Sequence, residues 1–157
     1  IAFAGNMSID EAQSLLERAR RAYPNIERLR KEIGRQLQEN EEVSTLFGRP
    51  RKFPGYNSYP QTEKSAALRE AFNHAAGQGT AADIMKSALV KCFDMINFKK
   101  LDCSILSTIH DELLFEGKDQ TIESESEILT DAMTDCIIPN FNIPIIVNSK
   151  VMSRWKK

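Results

Sequence analysis

Hydrophobic residues recur every three or four positions over several stretches of the chain, a spacing that predicts a largely helical protein. The helices expected from this spacing cover about residues 9–22, 25–40, 62–73, 81–98 and 122–138. The first of them opens on a capping box, because Ser8 and Glu11 can each satisfy a backbone N–H of the other. The second is heavily charged with a narrow apolar stripe, so we expect it to lie on a surface.

Four shorter stretches predict strands, at residues 43–47, 103–109, 112–116 and 143–147. Only His110 and Asp111 separate the middle two, and such a connection is typical of an antiparallel hairpin. Side chains alternate along a strand, so Glu112 points to the face opposite Leu113. We therefore predict an α+β fold, in which an antiparallel sheet has helices packed on one side.

The composition fits a globular domain, since 41% of the 157 residues are hydrophobic and 27% are charged. The net charge of -1 does not exclude nucleic-acid binding, because a neutral protein can still present a basic face. Cys92, Cys103 and Cys136 lack metal-type spacing, and we expect buried, reduced thiols in an intracellular protein. No apolar run approaches the roughly 20 residues of a membrane span. The chain begins at Ile1, without an initiator methionine, which suggests a fragment of a longer protein.

The first candidate site is His110-Asp111-Glu112, at the tip of the predicted hairpin. Acidic residues are unfavourable inside strands, and two adjacent carboxylates repel each other unless a cation or solvent separates their charges. A hairpin tip displays them where a hard cation can bind through oxygen, and magnesium needs only one or two protein carboxylates besides water and phosphate. Ordinary solvated surface is the alternative interpretation.

Two further regions have the chemistry of a DNA contact. Arg69 and Asn73 are four positions apart and so share a helix face. Gln78 lies between two glycines, where the backbone can approach a partner closely, and its amide could read minor-groove acceptors without sequence preference. The loop at residues 48–54 has three cations and prolines that stiffen it, which suits phosphate contact. A helix capped by Thr80 and a solvated basic loop are the alternatives.

Taken together, these motifs resemble those of family A DNA polymerases, the bacterial polymerase I group with its mitochondrial, nuclear and phage relatives. The chain reads T-L-F-G-R-x-R-x-x-P, then R-x-A-F-N, Q-G-T-A-A-D-I-M-K and H-D-E-L-L-F-E, and closes with I-P-I-I-V and a tryptophan. The resemblance extends from about Ser8 to Trp155. The pairing of Q-G-T-A-A-D with H-D-E-L is its most specific part.

The resemblance implies a role for each candidate residue. Asp111 matches the aspartate that binds the catalytic magnesium ions, and its neighbour Glu112 supports the metal site. His110 matches the histidine that holds the primer end. The other residues that match DNA-contacting positions are Arg69, Asn73, Gln78, Arg49 and Arg51.

The resemblance also implies a fold and a reaction. Residues 1–60 correspond to the C-terminal part of the fingers with a connecting loop, and residues 61–157 correspond to the palm. The His-Asp-Glu hairpin lies at the centre of the palm sheet in this family. The implied activity is that of a DNA-directed DNA polymerase in replication or repair, which extends a primer 3′ end with two magnesium ions. Its partners are primer–template DNA and deoxynucleoside triphosphates.

The chain departs from the family pattern in three respects. The motif A aspartate and the fingers helix that holds the nucleotide would precede the matched region, so we expect this chain alone to be inactive and to need an N-terminal portion, in cis or in trans. Four residues, not the usual three, separate Asn73 from Gln78, and the glycine often found before the tryptophan is absent. Two alternatives stay open: a non-catalytic DNA-binding remnant, and the palm of a single-subunit RNA polymerase, against which Q-G-T-A-A-D argues.

Overall fold

The computed structural model of the protein describes residues 7–135, 138 and 141–155. Helices make up most of this part of the chain, and its strands form two antiparallel pairs, so the expected α+β class is confirmed. In chain order the elements are α1 (Ile9–Ala22), α2 (Pro24–Asn40), β1 (Glu42–Ser44), β2 (Pro50–Lys52), a short 3-10 helix (Tyr56–Ser58), α3 (Gln61–Ala76), α4 (Gln78–Lys99), β3 (Cys103–Ile109), β4 (Glu112–Gly117) and α5 (Ile122–Thr134).

The described residues form two compact units. The first contains the chain up to Ser44 together with Pro50–Ala75, and the second contains Thr45–Arg49 and the chain from Ala76 onward. The short segment Thr45–Arg49 thus belongs to the second unit although both of its neighbours in sequence belong to the first. The division into fingers and palm at residue 60 refers to the family's subdomains and stays a prediction.

The capping box explains where α1 begins. The backbone N–H of Glu11 donates to the Ser8 hydroxyl at 3.2 Å, and the backbone N–H of Ser8 donates to the Glu11 carboxylate at 2.8 Å. Hydrogen bonds from the Ser8 backbone and side chain lower the pKa of the Glu11 carboxyl group. This helix has the bounds that the local sequence predicts, and its start is fixed by a cap whose two partners, Ser8 and Glu11, are only three positions apart.

The core of the first unit contains one face of α2, the middle residue of β1, the segment that follows β2, and α3. Its buried residues are Ile33, Leu37, Val43, Phe53, Tyr56, Ala67 and Ala71. Along α2 the apolar stripe is buried only towards the C-terminal end, because Ile26 and Leu29 remain exposed. The prediction of a strand over 43–47 was too long, and β2 was missed because its three exposed residues show no hydrophobic alternation.

The second unit has its core where α4, α5 and the β3–β4 hairpin meet. The buried residues are Cys92, Cys103, Leu129 and Ala132, and Leu113 and Phe115 pack against them. Both of these β4 side chains therefore face the core, as the alternation of the strand requires. The hairpin register shifts between Ile105 and Ser107, which leaves the intervening Leu106 exposed.

Two expectations in this unit were wrong. The helix α4 begins at Gln78 with Gly77 as its N-cap, so Thr80 lies within the helix and does not cap it. Residues 143–147 form no strand; Ile143 and Ile146 are exposed, and no strand among the described residues pairs with this segment to form a sheet. Of the cysteines, Cys92 and Cys103 are buried and free, while Cys136 lies outside the described residues. No helix in the described ranges combines the length and apolarity that a membrane crossing requires.

Candidate functional site

The candidate catalytic residues lie at the tip of the β3–β4 hairpin. Ile109 pairs with Glu112, which leaves His110 and Asp111 as the turn between the strands. His110 has a φ of 56°, in the left-handed region that residues other than glycine seldom occupy. His110, Asp111 and Glu112 are all exposed. The turn therefore exposes an imidazole and two carboxylates from three consecutive residues, next to the strand pairing that fixes the backbone below it.

The donor set at this tip fits a hard divalent cation in part. None of the ion pairs and side-chain hydrogen bonds of the described residues uses Asp111 or Glu112, so their oxygens are available to a ligand. Across the described ranges no three His, Cys, Asp or Glu side chains are grouped to hold a metal ion. Magnesium commonly takes one or two protein carboxylates and completes its shell with water and phosphate, so these two suit a shared site.

The base of the hairpin is fixed to α5 by a buried carboxylate. Glu125 accepts a hydrogen bond from the backbone N–H of Asp102 at 2.7 Å, immediately before β3 begins. At the other strand, Gly117 leaves no room for a side chain: a Cβ there would lie 2.7 Å from Ile122 Cδ1 and 3.0 Å from Cys103 Cβ. These contacts hold both ends of the hairpin and thereby set the direction in which its tip projects.

The Cys103 thiol lies at this anchor and is chemically quiet. Burial, and then the negative charge of Glu125, raises the pKa of Cys103 to about 11. A thiol with such a pKa is almost entirely protonated at neutral pH and is a poor nucleophile or metal ligand. Cys103 therefore belongs to the core and not to the candidate site.

The polar residues predicted to contact DNA lie on two helices. Arg69 and Asn73 are exposed on α3, four positions apart and thus on one helix face. Gln78 is exposed as the first residue of α4. Its predicted setting was a loop between two glycines, but the structure places it in the first helical turn, so its backbone is less free than we expected.

Arg49 and Asp83 form an ion pair that the sequence analysis did not find. The Arg49 Nε donates to Asp83 Oδ1 at 2.7 Å, and its Nη2 donates to the Gly79 carbonyl oxygen at 2.9 Å. The Thr45 hydroxyl donates to the other Asp83 oxygen at 2.7 Å. The partners of Asp83 are 34 and 38 positions away, and no local pattern reports such distant pairs.

The carboxylate of Asp83 stays charged in spite of its burial. Burial raises its pKa, but hydrogen bonds from Thr45 and Arg49 and the positive charges of Arg49 and Lys86 outweigh burial and lower it below the usual value. A charged acceptor forms stronger hydrogen bonds than a neutral one. The segment Thr45–Arg49 is therefore bound firmly to α4.

The second predicted phosphate contact, Arg51, is held within the first unit. Its guanidinium is paired with the Glu70 carboxylate of α3 and lies 5.8 Å from the centre of the Phe53 ring. About half of each charged side chain remains exposed. A surface pair of this kind is weak and exchanges readily, so Arg51 can reach an external phosphate when one is offered.

A depression in the surface of the second unit lies beside the Arg49–Asp83 pair. It has a volume of about 410 Å³ and is lined by Phe47, Arg49, Asp83, Lys86, Ser87, Val90 and Lys91. Its wall combines apolar side chains with three cations. Such a surface can lie close to an anion without a specific pocket for it.

Comparison with known proteins gives a consistent result. The model of the family described as DNA polymerase family A matches residues 2–157. DNA polymerase I of Pseudomonas aeruginosa is 33% identical over 145 residues, which cover 92% of this chain and 16% of that protein. The thermostable DNA polymerase I of Thermus aquaticus is 35% identical over 149 residues, covering 93% of this chain and 17% of that protein.

A solved structure agrees with the sequence comparison. The POL domain of Pol1 from M. smegmatis, in complex with DNA primer-template and dNTP, superposes with a TM-score of 0.81 at 28% identity. The superposition covers 91% of this chain and 25% of that one. The chain thus spans about a sixth of the length of the curated relatives it matches.

Proposed function

The chain belongs to DNA polymerase family A, and from this membership we propose that it supplies part of the active site of a DNA-directed DNA polymerase. The observation that carries the proposal is the pair of exposed, adjacent carboxylates of Asp111 and Glu112 in the family motif at a hairpin tip. In this proposal residues 61–157 belong to the palm and residues 1–60 to the fingers and a connecting loop, as the resemblance implies. The protein acts on intracellular DNA in replication or repair.

The reaction joins a nucleotide to a primer. The primer 3′ oxygen attacks the α-phosphorus of a deoxynucleoside triphosphate, loses its proton and displaces pyrophosphate. Asp111 and Glu112 would hold magnesium at this point, together with the motif A aspartate of another portion of the polymerase. Magnesium, when bound, supplies Lewis acidity at the primer hydroxyl and at the triphosphate. His110, the neighbour of both carboxylates in the chain, donates a hydrogen bond that orients the primer end.

The remaining candidate residues hold the duplex in register. Arg69, Asn73 and Gln78 have donors that suit the acceptors shared by all base pairs in the minor groove, so they support binding without sequence preference. Arg51 contacts the phosphate backbone by exchanging Glu70 for phosphate. Together they position the duplex so that the reacting primer end meets the carboxylates, which is most of what a protein contributes to phosphoryl transfer.

Primer extension tests the proposal. The chain is combined with a polypeptide that bears motif A and the fingers helix, and extension of a labelled primer is followed with magnesium. We expect extension only when both polypeptides are present, and its loss in Asp111→Ala. Asp119→Ala is the matched control, because Asp119 is also exposed and follows the same hairpin.

Two other outcomes would count against the proposal. Extension that survives Asp111→Ala contradicts the assignment of the catalytic carboxylate. Duplex binding without any extension, in every combination of polypeptides that bind each other, favours the non-catalytic remnant.

A further inference from the structure

The segment Thr45–Arg49 forms several hydrogen bonds with the first turns of α4. The Arg49 side chain reaches the Gly79 carbonyl oxygen and Asp83, while the backbone N–H of Leu46 donates to the Thr80 hydroxyl at 3.3 Å. Thr45, Thr80 and Asp83 are all buried. Both oxygens of Asp83 are used, one by Thr45 and one by Arg49. Asp83 therefore accepts two of the hydrogen bonds that join this segment to α4.

The start of α4 needs such an attachment. Its N-cap, Gly77, offers no side chain to satisfy the first backbone N–H groups, and Gly79 in the first turn adds conformational freedom. A helix end with an uncapped glycine on one side and a second glycine inside it tends to fray. Gln78 lies between these two glycines, so the orientation of its side chain depends on what holds the turn.

From this geometry we propose that Asp83 is a positioning residue, which acts through Arg49 to fix the first turn of α4 and with it the side chain of Gln78. The inference rests on the proposed contact of Gln78 with the duplex. Under this inference, Arg49 and Arg51 have different roles. Two donor groups of Arg49 are engaged inside the protein, so its contribution to duplex binding is made through α4, whereas Arg51 meets phosphate directly.

A double-mutant cycle on the full chain tests the inference. The variants are Asp83→Asn, Gln78→Ala and the two combined, and the control is Asp94→Asn, the same change at an exposed position of α4. The dissociation constant for a fluorescein-labelled primer–template is measured by anisotropy. We expect Asp83→Asn and Gln78→Ala each to weaken duplex binding about tenfold, because each variant loses a hydrogen bond to a charged group or the geometry that such a bond requires. The combined variant should bind little worse than either single one.

The outcomes separate the inference from the proposed function. If the combined variant loses duplex affinity by the product of the two single losses, Asp83 does not act through Gln78. The inference is then overturned, while the proposed function stands. If Gln78→Ala leaves binding unchanged, the proposed contact of Gln78 is itself wrong and the inference falls with it. A purely structural role of Asp83 predicts a lower unfolding temperature with full multiplication of the two losses.

A milder variant covers the case in which Asp83→Asn does not fold. Thr45→Val removes the hydrogen bond to Asp83 and the one that the Thr45 hydroxyl accepts from the Arg49 backbone N–H, and it keeps the ion pair between Arg49 and Asp83. We expect a loss of about threefold in duplex binding, coupled to Gln78→Ala in the same way. In the absence of DNA, hydrogen exchange of the amides at 79–83 should be faster in Thr45→Val than in Asp94→Asn. Equal binding and equal exchange in these two variants would overturn the inference.

Discussion

Glu125 accepts a hydrogen bond from the backbone N–H of Asp102 across 23 positions of sequence, and this bond joins α5 to the start of the strand that leads to the candidate catalytic tip. The other carboxylate oxygen of Glu125 is buried and has no hydrogen-bond partner among the described residues. One carboxylate oxygen of Glu125 therefore makes the hydrogen bond to Asp102 and the other makes none. Substitutions that keep or remove an acceptor at this position can test what the hydrogen bond contributes.

Glu125→Ala should lower the free energy of unfolding by about 2 kcal/mol, because the buried N–H of Asp102 loses its acceptor. Glu125→Gln should cost clearly less, since the amide oxygen can accept the same bond and a buried charge is removed. Urea unfolding measures both, with Glu127→Ala, an exposed change on the same helix, as the control. Equal losses for Ala and Gln would show that the charge, and not the hydrogen bond, is what stabilises this anchor.

Gly117→Ala should destabilise the protein by about 1–3 kcal/mol, because a new Cβ meets Ile122 Cδ1 at 2.7 Å and Cys103 Cβ at 3.0 Å in a packed core. Gly34→Ala is the matched comparison. Its Cβ would meet Leu68 Cδ1 at an ordinary 3.6 Å, and alanine favours the middle of α2 by about 1 kcal/mol. Thermal unfolding should therefore shift in opposite directions. A neutral result at Gly117 would show that the hairpin base is free to move.

The sequence predicts best the features that depend on neighbours in the chain. The first helix has its predicted bounds because Ser8 and Glu11 cap it within one turn. The α4 helix starts earlier than expected, at Gln78, and the Thr80 hydroxyl that we expected to cap it accepts a hydrogen bond from Leu46, a residue 34 positions away. A cap and a tertiary contact compete for the same hydroxyl, and only the first can be recognised from the local sequence.

In the candidate site, too, some features could be predicted from the local sequence and others could not. The motif that holds Asp111 is continuous in sequence, and so the tip of the hairpin was predictable. The partners of Asp83 were not, because Thr45 and Arg49 lie in another segment of the chain. The apolar residues around Ile146 suit a strand by composition, yet a strand also requires a partner that composition does not specify.

The stability that Asp83 provides should disappear in acid. Its pKa is lowered in the folded protein, so its contribution is fully present above the ordinary value of 3.8 and is lost as the pH falls through the lower folded value. The difference in unfolding free energy between the wild type and Asp83→Asn should therefore be constant near neutral pH and shrink below about pH 4. Urea unfolding at a series of pH values measures it. A difference that grows in acid would mean that Asp83 is protonated in the folded state.

Arg51→Ala should weaken duplex binding in a manner that depends on salt. Each phosphate contact contributes about 0.9 to the slope of log K against log salt, so the variant should lose about one unit of slope. Glu70→Gln should do the opposite to affinity, because Arg51 loses the internal carboxylate that competes with phosphate. Arg35→Ala is the control: Arg35 is also ion-paired and exposed, with Glu32 and Glu39 on α2, and has no proposed contact to DNA. An unchanged slope in Arg51→Ala, or an equal change in Arg35→Ala, would remove Arg51 from the duplex interface.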